Sequence, residues 1–209
     1  MNVKNEDQFQ VVARELEALA GSYAMPANTE GYEGVWLPPD NTVRMWTVPR
    51  TTAEYLQEMV EEKQPKTILE LGTSSGFSTL FLAAGARPYG GHVYTIEMAQ
   101  PKIDIAQDAI DRVGFQDTIT ILKGEITPVL HSWDKKIDFI FMDADKHNYL
   151  SYMKQIEPYL ADGAVIIADN AIDFNDLMQD YIDYMKNNSA YNTVLLEKDN
   201  GLLVSEYVS

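Results

Sequence analysis

The sequence predicts an α/β fold: a doubly wound, mostly parallel sheet that finishes in an antiparallel hairpin. Two patterns predict it. From Thr51 onward, short apolar runs of strand length alternate with stretches of helical period. Such alternation implies parallel strands joined by right-handed helical crossovers. Near the carboxyl terminus, two apolar runs flank Lys198-Asp199-Asn200-Gly201. Asn-Gly is a strong hairpin signal because both residues tolerate positive φ.

In chain order, Phe9, Val12, Leu16 and Leu19 recur at threes and fours, which predicts a helix from Asp7 to Leu19. Residues 24–49 are rich in Pro, Gly, Asn and aromatics, including Trp36 and Trp46. A long irregular stretch of this kind reads as a lid or binding loop, or as a loop packed on the body. Thr51 or Thr52 can cap a helix running to about Lys63, with Tyr55, Met59 and Val60 on one face. Parallel strands are predicted at Thr67–Leu71, His92–Glu97, Ile119–Leu122, Ile137–Met142 and Ala164–Ala168. Helices are predicted to begin near Ser75, Pro101, Thr127 and Asn148, and another to run from about Asp173 to Lys186. The hairpin strands are predicted at Asn192–Glu197 and Leu202–Glu206.

Composition narrows the function classes. The chain has 209 residues, 45% hydrophobic and 23% charged, an ordinary globular balance for one α/β domain. No apolar run approaches the roughly 18–20 residues that a membrane span needs. The start, MNVKNEDQFQ, lacks the apolar stretch of a signal peptide. There are no cysteines, which removes disulfides, thiolate catalysis and zinc–cysteine sites. A cytoplasmic location is the expectation. The formal net charge is −16, whereas a nucleic-acid binder needs a positive footprint. Small-molecule partners are therefore favoured over polynucleotides.

Gly72-Thr73-Ser74-Ser75-Gly76-Phe77-Ser78 follows the first parallel strand. Glycine there permits a tight turn and a close approach of backbone to a ligand. The spacing is G-x-x-x-G, neither the dinucleotide G-x-G-x-x-G nor a phosphate loop. A plain structural turn would look the same. The second strand ends in Glu97, 25 positions after Gly72. An acid at that strand tip can accept both ribose hydroxyls of an adenosine ligand.

The fourth strand leads into Asp143-Ala144-Asp145-Lys146, and the fifth into Ala168-Asp169-Asn170. In a parallel sheet both tips lie on one edge, so Asp143, Asp169 and Asn170 can converge. Three such oxygen ligands suit a hard cation and leave positions for two substrate hydroxyls and water. Taken singly, each acid fits a helix cap equally well. A dication nearby would disfavour the ammonium form of Lys146, which could then accept a hydroxyl proton. His147 is a second candidate base. His92 and His131 have no partner motif.

These residues resemble the cation-dependent O-methyltransferases of the catechol and caffeoyl-CoA type. The resemblance is carried by Ile68-Leu69-Glu70-Leu71-Gly72 with Gly76-Phe77-Ser78, by Thr95-Ile96-Glu97, by Asp143-Ala144-Asp145-Lys146 with Asn148-Tyr149, and by Ala168-Asp169-Asn170. It implies a class I methyltransferase Rossmann-like fold, with residues 51–209 as the catalytic core and 1–50 as a helix and lid-like segment of the same domain. It implies S-adenosylmethionine as donor, with Glu70, Gly72 and Ser78 at its methionine end and Glu97 at the ribose. It implies that Val48, Glu125, Asp143 and Asp145 also line the donor site. By the same resemblance Asp143, Asp169 and Asn170 are the metal ligands, magnesium first among the ions, and Lys146 is the base. The expected acceptor is a small, catechol-like diol, and the expected assembly is a homodimer. A hydroxylated tRNA nucleoside as acceptor and a non-catalytic donor-binding protein are the alternatives. An NAD-type oxidoreductase would want the missing G-x-G-x-x-G. The family often follows Asp-Asn with Trp and Gly, but here the run is Ala171-Ile172-Asp173-Phe174. That departure bears on the acceptor, as does the weak match before Thr51. Trp36, Met45 and Trp46 are a candidate apolar cover that excludes water.

Overall fold

The computed structural model describes residues 3–21, 24–26 and 42–208. Helix α1 (Val3–Leu19) is followed by a small antiparallel pair, β1 (Ala24–Pro26) and β2 (Thr42–Arg44). Helix α2 (Arg50–Lys63) then leads into the alternating region. Its elements are β3 (Thr67–Leu71), α3 (Phe77–Ala86), β4 (His92–Glu97), α4 (Gln100–Val113), β5 (Ile119–Lys123), α5 (Ile126–His131), β6 (Ile137–Met142), α6 (Tyr149–Ile156) and β7 (Leu160–Asp169). Helix α7 (Gln179–Asn187) precedes the hairpin β8 (Tyr191–Leu196) and β9 (Leu202–Tyr207).

Among the described residues these strands form a seven-stranded sheet in the order β5-β4-β3-β6-β7-β9-β8. Strands β3 to β7 pair in parallel, while β9 runs antiparallel to both β7 and β8. The chain reverses its direction of travel across the sheet between β3 and β6, and ligands of open α/β sheets bind at such a switch point, beyond the strand carboxyl ends.

Period-two alternation splits each central strand between two cores. Ile68, Phe139, Phe141, Val165 and Ile167 face α1 to α4, where Leu16, Leu56, Phe77, Phe81 and Ile110 are buried. Leu69, Leu71, Ile140, Met142, Ile166 and Ala168 face α5 to α7, where Leu130, Tyr149, Met153 and Tyr181 are buried. Both faces are covered, so the strands read as nearly unbroken apolar runs.

Four expectations need correction. Helix α2 starts at Arg50 with Pro49 before it and no side-chain cap; the Thr51 and Thr52 hydroxyls donate instead to Asp199. Strand β7 begins at Leu160 rather than Ala164, with a shift in register between the Ile137 and Phe139 pairs. The helix predicted from Asp173 is a short 3-10 turn, Asn175–Leu177, followed by α7. The 171–173 backbone amides before it donate to the Asn200 and Gly201 carbonyls. In the hairpin loop it is Asp199 and Gly201, rather than Asn200, that take positive φ.

Candidate active site

The tips of β3, β6 and β7 are neighbours, and their register sets the site. Leu71 pairs with Met142, and Met142 with Ala168, so the residues that follow each pair emerge side by side. Gly72 has φ +97°, and a Cβ there would fall 2.4 Å from the Asp143 carbonyl oxygen. Only glycine lets the two tips close up in this way. The Gly72 and Thr73 amides both donate to the Ile96 carbonyl, which ties the turn to the tip of β4.

Beneath the turn, Glu70 is fully buried. Its Oε1 accepts from Ser78 Oγ at 2.6 Å, and its Oε2 accepts from the hydroxyls of Thr79 at 2.5 Å and Thr95 at 2.6 Å. Burial pushes its carboxyl up to about 7, against those hydrogen bonds and with a smaller push from Asp143. Glu70 thus ties β3 to α3 and β4.

Glu97, at the tip of β4, accepts from the Ser74 amide at 2.9 Å and from the Met98 and Ala99 amides at 3.0 Å each. It closes the glycine turn over the start of α4. The Ser74 and Ser75 hydroxyl oxygens are buried without a protein partner. Buried polar atoms are rarely left unpaired, so these two hydroxyls are candidates for a ligand contact that sequence reasoning passed over. Their signal was present in the Thr-Ser-Ser filling of G-x-x-x-G.

Asp143 and Asp169 converge. Lys146 Nζ bonds Asp143 Oδ1 at 2.6 Å, with side chains only 12% and 22% exposed. The Lys146 ammonium also lies 5.3 Å from the Tyr149 ring centroid, and Tyr149 is anchored by donating its hydroxyl to the Met142 carbonyl. Asp169 is 2% exposed, and its Oδ1 has no partner. Its carboxyl is pushed up to about 7, first by burial and then by the charge of Asp143, while the Asn170 amide and Lys146 pull it down. Asn170 is also buried and sits at φ +67°.

The remaining candidates are more scattered. Val48 is buried in the first core. Glu125 is exposed at the start of α5. Asp145 is exposed and accepts from the His147 amide and from Asn148 Nδ2, which makes it the cap of the 3-10 turn Lys146–Asn148. His147 is exposed. Of the proposed cover, Met45 is packed inside, Trp46 is 59% exposed, and Trp36 lies outside the described residues. A groove of about 430 Å³ between α1 and α4, lined by Leu16, Leu19, Ile105 and Arg112 among others, shares no residue with the site.

The donor set fits a hard cation in its chemistry: two carboxylates and an amide, one carboxylate oxygen buried and orphaned, and an ammonium on the other aspartate. Among the described residues, no group of three His, Cys, Asp or Glu is placed to hold a metal. The trio includes only two such residues, its third member being Asn170.

The strand order with its antiparallel edge hairpin, and the glycine turn at the switch point, are those of class I methyltransferases. The chain belongs to the O-methyltransferase family, whose model matches residues 38–202. Catechol O-methyltransferase of Niastella koreensis is 34% identical over 130 residues, covering 60% of this chain and 58% of that protein. Caffeoyl-CoA O-methyltransferase 2 of Petunia hybrida is 29% identical over 136 residues, covering 61% and 56%. The match thus spans little more than half the length of these relatives. Among solved structures, an O-methyltransferase from Bacillus cereus in complex with SAH superposes with a TM-score of 0.71 at 24% identity, over 92% of this chain and 99% of that one. The SAH-bound Podospora anserina methyltransferase gives 0.74 at 20%, over 100% and 97%. At these identities the likeness establishes the fold. Among the described residues, no helix is long and apolar enough to cross a membrane.

Proposed function

We propose that this chain transfers a methyl group from S-adenosylmethionine to a hydroxyl of a small, catechol-like acceptor, with a divalent cation held by Asp143, Asp169 and Asn170. The observation that carries the reading is the buried Asp169 oxygen without a partner, beside an Asp143 already holding positive charge. The names of the relatives support the acceptor class.

The reaction breaks the donor's carbon–sulfur bond, makes a carbon–oxygen bond, and requires the acceptor to lose its hydroxyl proton. A bound divalent cation supplies a Lewis acid that favours the ionised hydroxyl and fixes its orientation. Lys146 lies 2.6 Å from Asp143 as an ammonium; a dication held at that aspartate would disfavour the charged form, and the neutral amine could then take the proton of the acceptor hydroxyl. The glycine turn, with the Ser74 and Ser75 hydroxyls, holds the donor's polar end, and Glu97 accepts from its ribose. Positioning of two reactants in this way can supply on the order of 7–11 kcal/mol of barrier reduction.

The test is a panel of catechols with radiolabelled donor, run with Mg²⁺ and with chelator. Methylation of at least one catechol that stops in chelator and returns with Mg²⁺ is expected. Equal turnover in chelator would remove the cation from the account. Turnover of none would remove the catechol class.

A further inference from the structure

The hairpin loop between β8 and β9 reaches across the molecule to α2. Asp199 Oδ2 accepts from Thr51 Oγ1 at 2.6 Å and from Thr52 Oγ1 at 2.7 Å. Thr52 is fully buried, and α2 has no side-chain cap of its own. The next two residues of the loop grip the segment after the cation pair. The Asn200 carbonyl accepts from the Ile172 amide at 3.1 Å and from the Asp173 amide at 3.3 Å, and the Gly201 carbonyl accepts from the Ala171 amide at 2.9 Å. The fit is close, for a Cβ on Gly201 would fall 2.6 Å from the Ile172 nitrogen. Asn170 itself is in the left-handed region, φ +67°, which asparagine tolerates better than most non-glycine residues.

We infer that Asp199 is a positioning residue for the cation pair: it pins the hairpin loop to the start of α2, and the loop holds the backbone that presents Asn170 beside Asp169. The inference rests on the cation reading proposed above. It adds a support outside the ligand set, and supports of that kind fix ligand orientation in metal sites. A competing role is electrostatic, since the charge of Asp199 reaches Asp169. The two roles separate by substitution. Removing the threonine hydroxyls breaks the clasp and leaves the charge, whereas Asp199→Asn removes the charge and leaves an oxygen that can accept.

The experiment is a Mn²⁺ titration of the full chain, read by the paramagnetic resonance of free Mn²⁺, alongside calorimetric binding of SAH. Thr51→Val/Thr52→Val and Asp199→Ala are expected to weaken Mn²⁺ binding roughly tenfold or more, with a smaller loss for SAH. Asp199→Asn is expected to recover most of the Mn²⁺ affinity. Where the double variant does not fold, Thr51→Val alone, at an exposed position, is expected to show part of the same loss. Wild-type Mn²⁺ affinity in the threonine variants would overturn the clasp, and so would a loss in Asp199→Asn as large as in Asp199→Ala. If wild type binds SAH but no Mn²⁺, the cation reading falls and takes the clasp with it.

Discussion

Lys146 and Asp143 form the least exposed ion pair at the strand tips, 2.6 Å apart. A lysine in that position can serve the reaction as a base or serve the fold as a counter-charge. Lys146→Ala should lower kcat by roughly 10²–10⁴-fold with SAH affinity kept, if it moves the proton. Unchanged kcat at neutral pH would remove it as the base. Glu70 makes a different prediction. Its carboxyl is raised from 4.5 to about 7, mainly by burial. A carboxyl raised in the fold contributes stability while protonated, below its ordinary value, and loses that contribution as pH rises through about 7. Glu70→Gln cannot lose it. The melting temperature of Glu70→Gln relative to wild type should therefore climb from about pH 5 to about pH 8. A flat difference over that range contradicts a buried, titrating Glu70.

At the scale of elements, the turn after β3 is the joint on which the site depends. Gly72→Ala must place a Cβ against the Asp143 carbonyl at a φ that side chains rarely adopt. The loss of stability should be at least about 1–3 kcal/mol, measured by urea denaturation, and SAH binding should weaken with it. A variant as stable as wild type would show that the tips of β3 and β6 are not packed as described. The strands β3, β4 and β6 were legible in the sequence to the residue, because apolar runs bounded by Gly, Asp and Pro leave little freedom in register. The start of α2 and the segment after Asn170 were not. Both are in contact with Asp199, Asn200 and Gly201, which lie far away in the chain, and local pattern carries no record of such a partner. For the same reason Thr51 and Thr52 read as caps when they are donors to the hairpin loop.

For the whole molecule, topology does what no single motif can. Asp143 and Asp169 are helix-cap candidates when read alone, and they meet because β6 and β7 are parallel neighbours. That the two strand tips are neighbours could be read from the sequence once the strands were placed. The burial of Asp169, its orphaned oxygen and the withdrawal of Glu70 into a hydroxyl cluster could not, since they depend on packing from both faces of the sheet. Of the cover suggested by Trp36, Met45 and Trp46, Met45 is buried, Trp46 is exposed and Trp36 lies outside the described residues.

The central claim is that one cation sits between Asp143 and Asp169–Asn170, beside the methyl group of the donor. The direct measurement is the ¹³C resonance of methyl-labelled S-adenosylmethionine bound to the protein, recorded as Mn²⁺ is added. Broadening of the methyl signal in wild type, absent in Asp169→Ala that still binds the donor, is the predicted result. A methyl signal that Mn²⁺ leaves sharp in wild type, or broadens equally in Asp169→Ala, would contradict the account.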